Sequence, residues 1–147
     1  MPPHAPPAST SPASDGSPAS SWHPWLRDGK PSLPLQEDET ALVVWALWRH
    51  YFRYRDIEFM RPLWVDVVQP AADFMARYRD PTSGLPMPSY DLWEERWGVH
   101  AFTVATVYGG LKAAHNFPVP FGDRDRAPPY KQAAEGVKTG TARHLWS

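Results

Sequence analysis

Apolar positions recur at helical spacing in four stretches. The first begins near Glu37 or Asp38 and runs to about Tyr54. Its segment Ala41 to Trp48 is eight apolar residues in a row. A helix with no polar face must be buried on every side. Acidic residues at its start and Arg49, Arg53 and Arg55 near its end suit the helix dipole. The second stretch runs from about Ile57 to Tyr78, with Asp56 as its N-cap. Pro62 fits a first turn, whereas Pro70 lies in the interior and should kink or split the helix. The third covers roughly His100 to His115, with Val104, Val107, Tyr108, Leu111 and Ala114 on one face. Gly109 and Gly110 cost that helix stability and point to close packing, and Pro118 and Pro120 end it. The fourth spans roughly Pro128 to Trp146, with Tyr130, Ala134, Val137 and Leu145 on one face and Asp123 or Asp125 as cap. Proline and glycine mark two loops, residues 22–36 and the stretch holding Pro81, Gly84, Pro86 and Pro88. No strand pattern appears, so the expected class is all-α, with about four long helices.

Composition changes this picture at the N-terminus. Residues 1–21 hold six prolines, six serines, four alanines and a single charged side chain, Asp15. Such a stretch cannot bury enough apolar surface to offset its ordering entropy, and it reads as a disordered tail. The expected organisation is a tail over 1–21 and one domain over 22–147.

Charge narrows the function classes. The net charge of −1 speaks against a dedicated nucleic-acid surface. Arg49 to Arg55 does interleave basic and aromatic residues, but the helix dipole accounts for basic residues there. The absence of cysteine excludes disulfides and a thiol nucleophile. No apolar run approaches the roughly 20 residues of a membrane span. No secretory signal is visible, so a cytoplasmic location is expected. Phosphate loops, metal-ligand spacings and a serine elbow are missing, and the six histidines form no HExxH pair, so no metal or cofactor is implied.

The segment Ser89 to Gly98, with Asp91, Trp93, Glu94, Glu95 and Trp97, is the most informative. One reading is local. Asp91 and Glu94 form a capping-box pattern, Glu95 decorates the first turn, and Trp93 packs on Trp97. The other reading is chemical. Sugar sites pair aromatic platforms with carboxylates, and glycosidic cleavage needs a carboxylic acid that stays protonated. An apolar indole wall and a neighbouring carboxylate both favour that protonated form.

Gly84-Leu85-Pro86 and Ser89 to Gly98, followed by His100-Ala101-Phe102-Thr103, resemble the catalytic-acid segment of glycoside hydrolase family 15, the family of glucoamylases, glucodextranases and some bacterial trehalases. Gln36-Glu37-Asp38-Glu39-Thr40-Ala41-Leu42 resembles the same family's Q-x-D-E helix start, and Ala71-Ala72-Asp73-Phe74 also fits in order and spacing. The resemblance covers roughly Trp22 to Ser147. It implies an (α/α)6 barrel, a six-hairpin toroid, and hydrolysis of α-glucosidic bonds with inversion. Carried onto this chain, Glu94 is the general acid, Glu95 binds substrate hydroxyls, and Asp91 and Trp93 shape the same subsite. The implied partner is an α-linked glucoside such as a malto-oligosaccharide, a dextran-type glucan or trehalose. Trp25-Leu26-Arg27-Asp28 echoes a W-x-R-D element that the family uses for the terminal sugar, but Asp28 lies only eight residues before Gln36.

The resemblance is incomplete. An inverting hydrolase needs a second carboxylate about 6.5–9.5 Å from the acid, across the sugar. Glu95 adjoins Glu94 and shares its side of the substrate. The family's base comes from a much later segment, and Glu135 is the only glutamate after Gly98. Twelve helices with their connections need on the order of 200 residues. The expectation is therefore an incomplete barrel that carries the acid without the base and is inactive alone. The alternative is a non-catalytic sugar-binding piece or a decayed gene fragment. In an incomplete barrel the run Ala41 to Trp48 lacks partners on part of its surface.

Overall fold

The computed structural model describes residues 26–27, 30–31 and 35–145. The tail expected over 1–21 lies outside them, as do Trp25 and Asp28 of the W-x-R-D echo. Two compact units divide the chain between Leu35 and Gln36. In the first, β1 (Leu26–Arg27) pairs antiparallel with β2 (Lys30–Pro31).

The second unit is helical. Helix α1 (Glu37–Tyr54) starts where the acidic residues place it. Helix α2 (Ile57–Leu63) is capped as expected, the Asp56 carboxylate accepting from the Phe59 amide at 3.0 Å. Pro62 is the sixth residue of α2 and not in a first turn, as the sequence had suggested. A π-helical turn (Trp64–Val68) follows and leads directly into α3 (Gln69–Arg77). Pro70 has no amide proton and would clash with a carbonyl four residues back in an ordinary helix. The π turn widens the backbone there, with the Gln69 amide reaching Trp64 O. The segment is thus split as predicted, yet stays helical, and the turn buries both Trp64 and Val68.

Strands β3 (Ser89–Tyr90) and β4 (Trp97–Gly98) form a short antiparallel stem, where no strand was expected. Helix α4 (Ala101–Asn116) and the single turn α5 (Pro118–Phe121) follow. A 3-10 turn (Arg124–Arg126) then leads into α6 (Ala127–His144). Neither Asp123 nor Asp125 caps α6. Asp123 instead accepts from Arg126 Nε at 2.9 Å. Leu145 falls just past α6 and is exposed, so it is not part of the packed face expected for it.

Contacts between elements give their directions. Ala41 meets Gly110, Trp48 meets Phe117, and Tyr51 meets Phe121, so α1 and α4 run parallel. His115, near the end of α4, bonds the carbonyl of Ala127 at the start of α6, so α4 and α6 are antiparallel. Asp73 of α3 meets Tyr130 of α6, and Arg79 reaches Ala133, so α3 and α6 ascend together. The unit is two α-hairpins side by side, α1 with α3 and α4 with α6. This is the repeating arrangement of an all-α toroid.

The core lies between them. Val104, Val107, Leu111 and Ala114 are buried from α4, and Tyr130, Ala134 and Val137 from α6. At the far end, Phe117 meets Trp48 edge-on at 5.1 Å and stacks on Trp64 at 5.7 Å. Burial on every side does not hold for α1; as expected for an incomplete barrel, one of its faces lacks partners among the described residues. Ala41 and Val44 are fully buried, but Leu42, Val43 and Trp45 are exposed, Trp45 by 47%. No described element covers that face. Phe102 on the neighbouring α4 is exposed as well. No helix among the described residues is long and apolar enough to cross a membrane.

The two adjacent glycines of α4 differ. A Cβ on Gly110 would sit 3.0 Å from the Cα and carbonyl oxygen of Ala41, whereas one on Gly109 meets nothing closer than the Trp45 ring at 3.9 Å. Gly110→Ala should therefore push α1 and α4 apart, while Gly109→Ala only raises helix propensity. Denaturant unfolding should find G110A less stable than G109A by about 1–3 kcal/mol. Equal stabilities would show that the helices do not rely on this approach.

Candidate active site

The segment singled out by the sequence is a closed loop on the β3–β4 stem, not the start of a helix. Asp91 organises it. Its amide donates to Arg96 O at 2.9 Å, and its carbonyl accepts from the Glu94 amide at 2.9 Å. One carboxylate oxygen accepts from the amides of Glu95 at 2.8 Å and Arg96 at 3.1 Å. The capping pattern was thus a true signal of an Asp collecting amides, but those amides belong to a loop. The same closure corrects the expected Trp93–Trp97 pair. Trp97 lies in the stem and meets Tyr90 edge-on at 5.1 Å, while Trp93 is 77% exposed.

Glu94 has φ of 58°, in the left-handed region. A residue with a Cβ pays roughly 1–2 kcal/mol for that conformation. Glu94 is half-buried and Glu95 exposed, so the two adjacent carboxyls have different surroundings.

The loop is tied to both parallel helices. Gln36, 7% exposed and just before α1, donates its carboxamide Nε2 to Asp91 O at 3.1 Å and Leu92 O at 3.4 Å. His100, just before α4, places Nε2 3.0 Å from Arg96 O. The family-like motifs around Glu94 thus meet in space, and Gln36, which the sequence marked only as part of a helix start, touches the loop directly. The side-chain type was the available signal: a neutral double donor next to acidic residues at a helix start.

The other matched motifs hold the frame. Gly84 has φ of 75°, and a Cβ there would lie 2.8 Å from Gly136 O, so the Gly84-Leu85-Pro86 turn packs directly on α6. Asp73 accepts the Tyr130 hydroxyl at 2.7 Å and Arg126 Nη1 at 3.1 Å, joining α3 to α6. Burial, and then the Asp73 carboxylate, push the Tyr130 hydroxyl up to about 12. Arg49 and Arg55 lie against the rings of Trp45, Tyr51 and Phe52, so the basic-aromatic stretch is largely paired within α1.

Beneath the loop sit two carboxyls with no exposure, Glu37 and Asp38. Both oxygens of Glu37 and Oδ2 of Asp38 have no hydrogen-bond partner among the described residues. Burial first, and then the charge of Asp38, push Glu37 up to about 8. Burial also raises Asp38, against the pull of its backbone hydrogen bonds. Glu39 is raised by burial, then by Asp38 and Glu94. Among the described residues no group of three or more His, Asp and Glu is placed to hold a metal ion.

A fold of paired α-hairpins, with an Asp-closed Trp-Glu-Glu loop over their shared end, is a partial all-α toroid of the kind found in six-hairpin glycosidases. The chain belongs to Glycosyl hydrolases family 15, whose pattern matches residues 27–147. It is 31% identical over 119 residues to the uncharacterized glycosyl hydrolase MJ1610 of Methanocaldococcus jannaschii. That alignment covers 78% of this chain and 18% of the relative, so the chain spans a small part of that protein's length. No solved structure matches.

Glu37 gives a pH signature. In the fold it keeps its proton to about pH 8, whereas its ordinary value is 4.5. Its stabilising contribution is full below about pH 4.5 and is lost as pH rises toward 8. The loss reaches at most about 1.4 kcal/mol per pH unit. Glu37→Gln cannot ionise, so thermal melts across that range should show a flatter decline than the wild type. Identical declines would mean that Glu37 is not held neutral.

Proposed function

We propose that this chain supplies the general-acid portion of an inverting α-glucoside hydrolase. Residues 22–147 are part of the catalytic domain in this reading, and residues 1–21 lie outside it. Glu94 donates its proton to the leaving glycosidic oxygen. Glu95 and Asp91 accept substrate hydroxyls beside it, and Trp93 offers a flat apolar face to the sugar ring. The partner is an α-linked glucoside of the malto-oligosaccharide, dextran or trehalose kind. The base comes from outside the chain, at about 6.5–9.5 Å across the sugar, where it activates water for attack with inversion. The chain alone therefore hydrolyses nothing at a useful rate.

One observation carries this reading. The Asp91-closed loop holds a half-buried glutamate in a strained conformation next to an exposed indole, at the end where two parallel helices begin. The uncovered apolar face of α1 supports the incompleteness, because Leu42, Val43 and Trp45 suit a neighbouring helix. A non-catalytic sugar-binding role rests on the exposure of Trp93 and Trp97.

The test is complementation. The chain is mixed with a family 15 catalytic domain from which the corresponding segment has been removed, and glucose release from maltose and trehalose is followed. Wild type should restore release, and Glu94→Gln should lower the restored rate by roughly 10²–10⁴. A restored rate indifferent to that change would sink the acid assignment. Release by the chain alone would sink the incompleteness. Saturable Trp quenching by these sugars, with no restored hydrolysis, would favour the binding role.

A further inference from the structure

The acid loop is specified at two levels, and different residues carry them. Its internal shape belongs to Asp91, whose amide, carbonyl and carboxylate between them close the loop onto Glu94, Glu95 and Arg96. None of those bonds leaves the loop, so none says where it sits on the helical frame. Among the described residues, the two-residue stem and the side chains of Gln36 and His100 connect it to that frame. Of the side chains, His100 ties the loop locally to the start of α4, four residues from its acceptor, whereas Gln36 reaches across 55 residues from the start of α1.

We propose that Gln36 is a positioning residue for Glu94: by holding the carbonyls of Asp91 and Leu92, it fixes the loop against α1. This rests on the reading of Glu94 as the acid. The side-chain type matters. A carboxamide nitrogen carries two protons and can serve two successive carbonyls while remaining neutral. Glutamate offers no donor when ionised and would add charge beside Glu37, Asp38 and Glu39. The backbone at Gln36 is itself anchored, because it runs straight into α1, whose register on α4 is set at Ala41 and Gly110. Placement errors near 1 Å in a reacting group cost about 10²-fold in rate, which gives such a tether its leverage.

Gln36→Met keeps the length and bulk but removes both donors. In the full chain, NMR should show the amides of Leu92 to Arg96 and the Trp93 indole N–H shifting, while those of α4 and α6 hold still. The amides of Glu95 and Arg96 should retain their slow exchange, because Asp91 still holds them. Asp91→Ala should do the reverse and lose that protection. In the complemented enzyme, Q36M should lower kcat roughly 10–100-fold with KM nearly unchanged. Loop resonances that stay in place, an unaltered kcat, or loss of Glu95 and Arg96 protection in Q36M would each overturn the proposal. Should Q36M fail to fold, Gln36→Asn is read the same way. Its amide is one methylene too short for the loop, and wild-type loop resonances in Q36N would overturn the proposal equally. The loop readouts do not involve proton transfer. A loop that moves as expected in an enzyme insensitive to Glu94→Gln would therefore refute the acid reading alone.

Discussion

Gly110 brings the backbone of α4 to within van der Waals touch of Ala41, so close that a methyl group there would sit 3.0 Å from the Ala41 backbone and force the helices to give way. The rest of the site follows from that approach. It sets two helices parallel and in register, so their first residues emerge at the same end. Gln36 and His100 become the two ends of a bracket around the loop. The partner hairpin elements, α3 and α6, close behind through Asp73, Tyr130 and Arg126, and leave the loop end free of that packing.

Much of this was legible in the sequence. Helix boundaries came from acidic starts, the Asp56 cap and terminal prolines, all of which act over a few residues. The family resemblance supplied the architecture, which periodicity alone could not give beyond four helices. What periodicity missed has physical causes. It read Asp91 as a helix cap because collecting backbone amides looks the same in a loop and at a helix start. It placed Trp45 in the core because an apolar run carries no record of which neighbours lie within the chain. It could not separate Gly109 from Gly110, because one residue of rotation decides which meets Ala41. The link from Gln36 to Leu92 spans 56 residues, a distance at which local pattern has no reach.

The electrostatic layout follows the same logic. Glu37, Asp38 and Glu39 are consecutive, and Asp91 and Glu94 lie over them. Burial removes the water that would otherwise separate such charges, so at least one group is better neutral. Glu37, sealed and without a partner among the described residues, is that group. Holding a proton there lets the remaining carboxyls coexist at one end of two helices.

The left-handed backbone at Glu94 sets stability against the proposed chemistry at one position. Glycine or asparagine would occupy that conformation at less cost, and each would remove the carboxyl. A library of this segment screened for heat resistance alone would thus be drawn toward variants that have lost the carboxyl proposed as the acid. Selection for stability at that residue therefore works against keeping a carboxyl there, and under the proposed reading the less strained winners would be the inert ones.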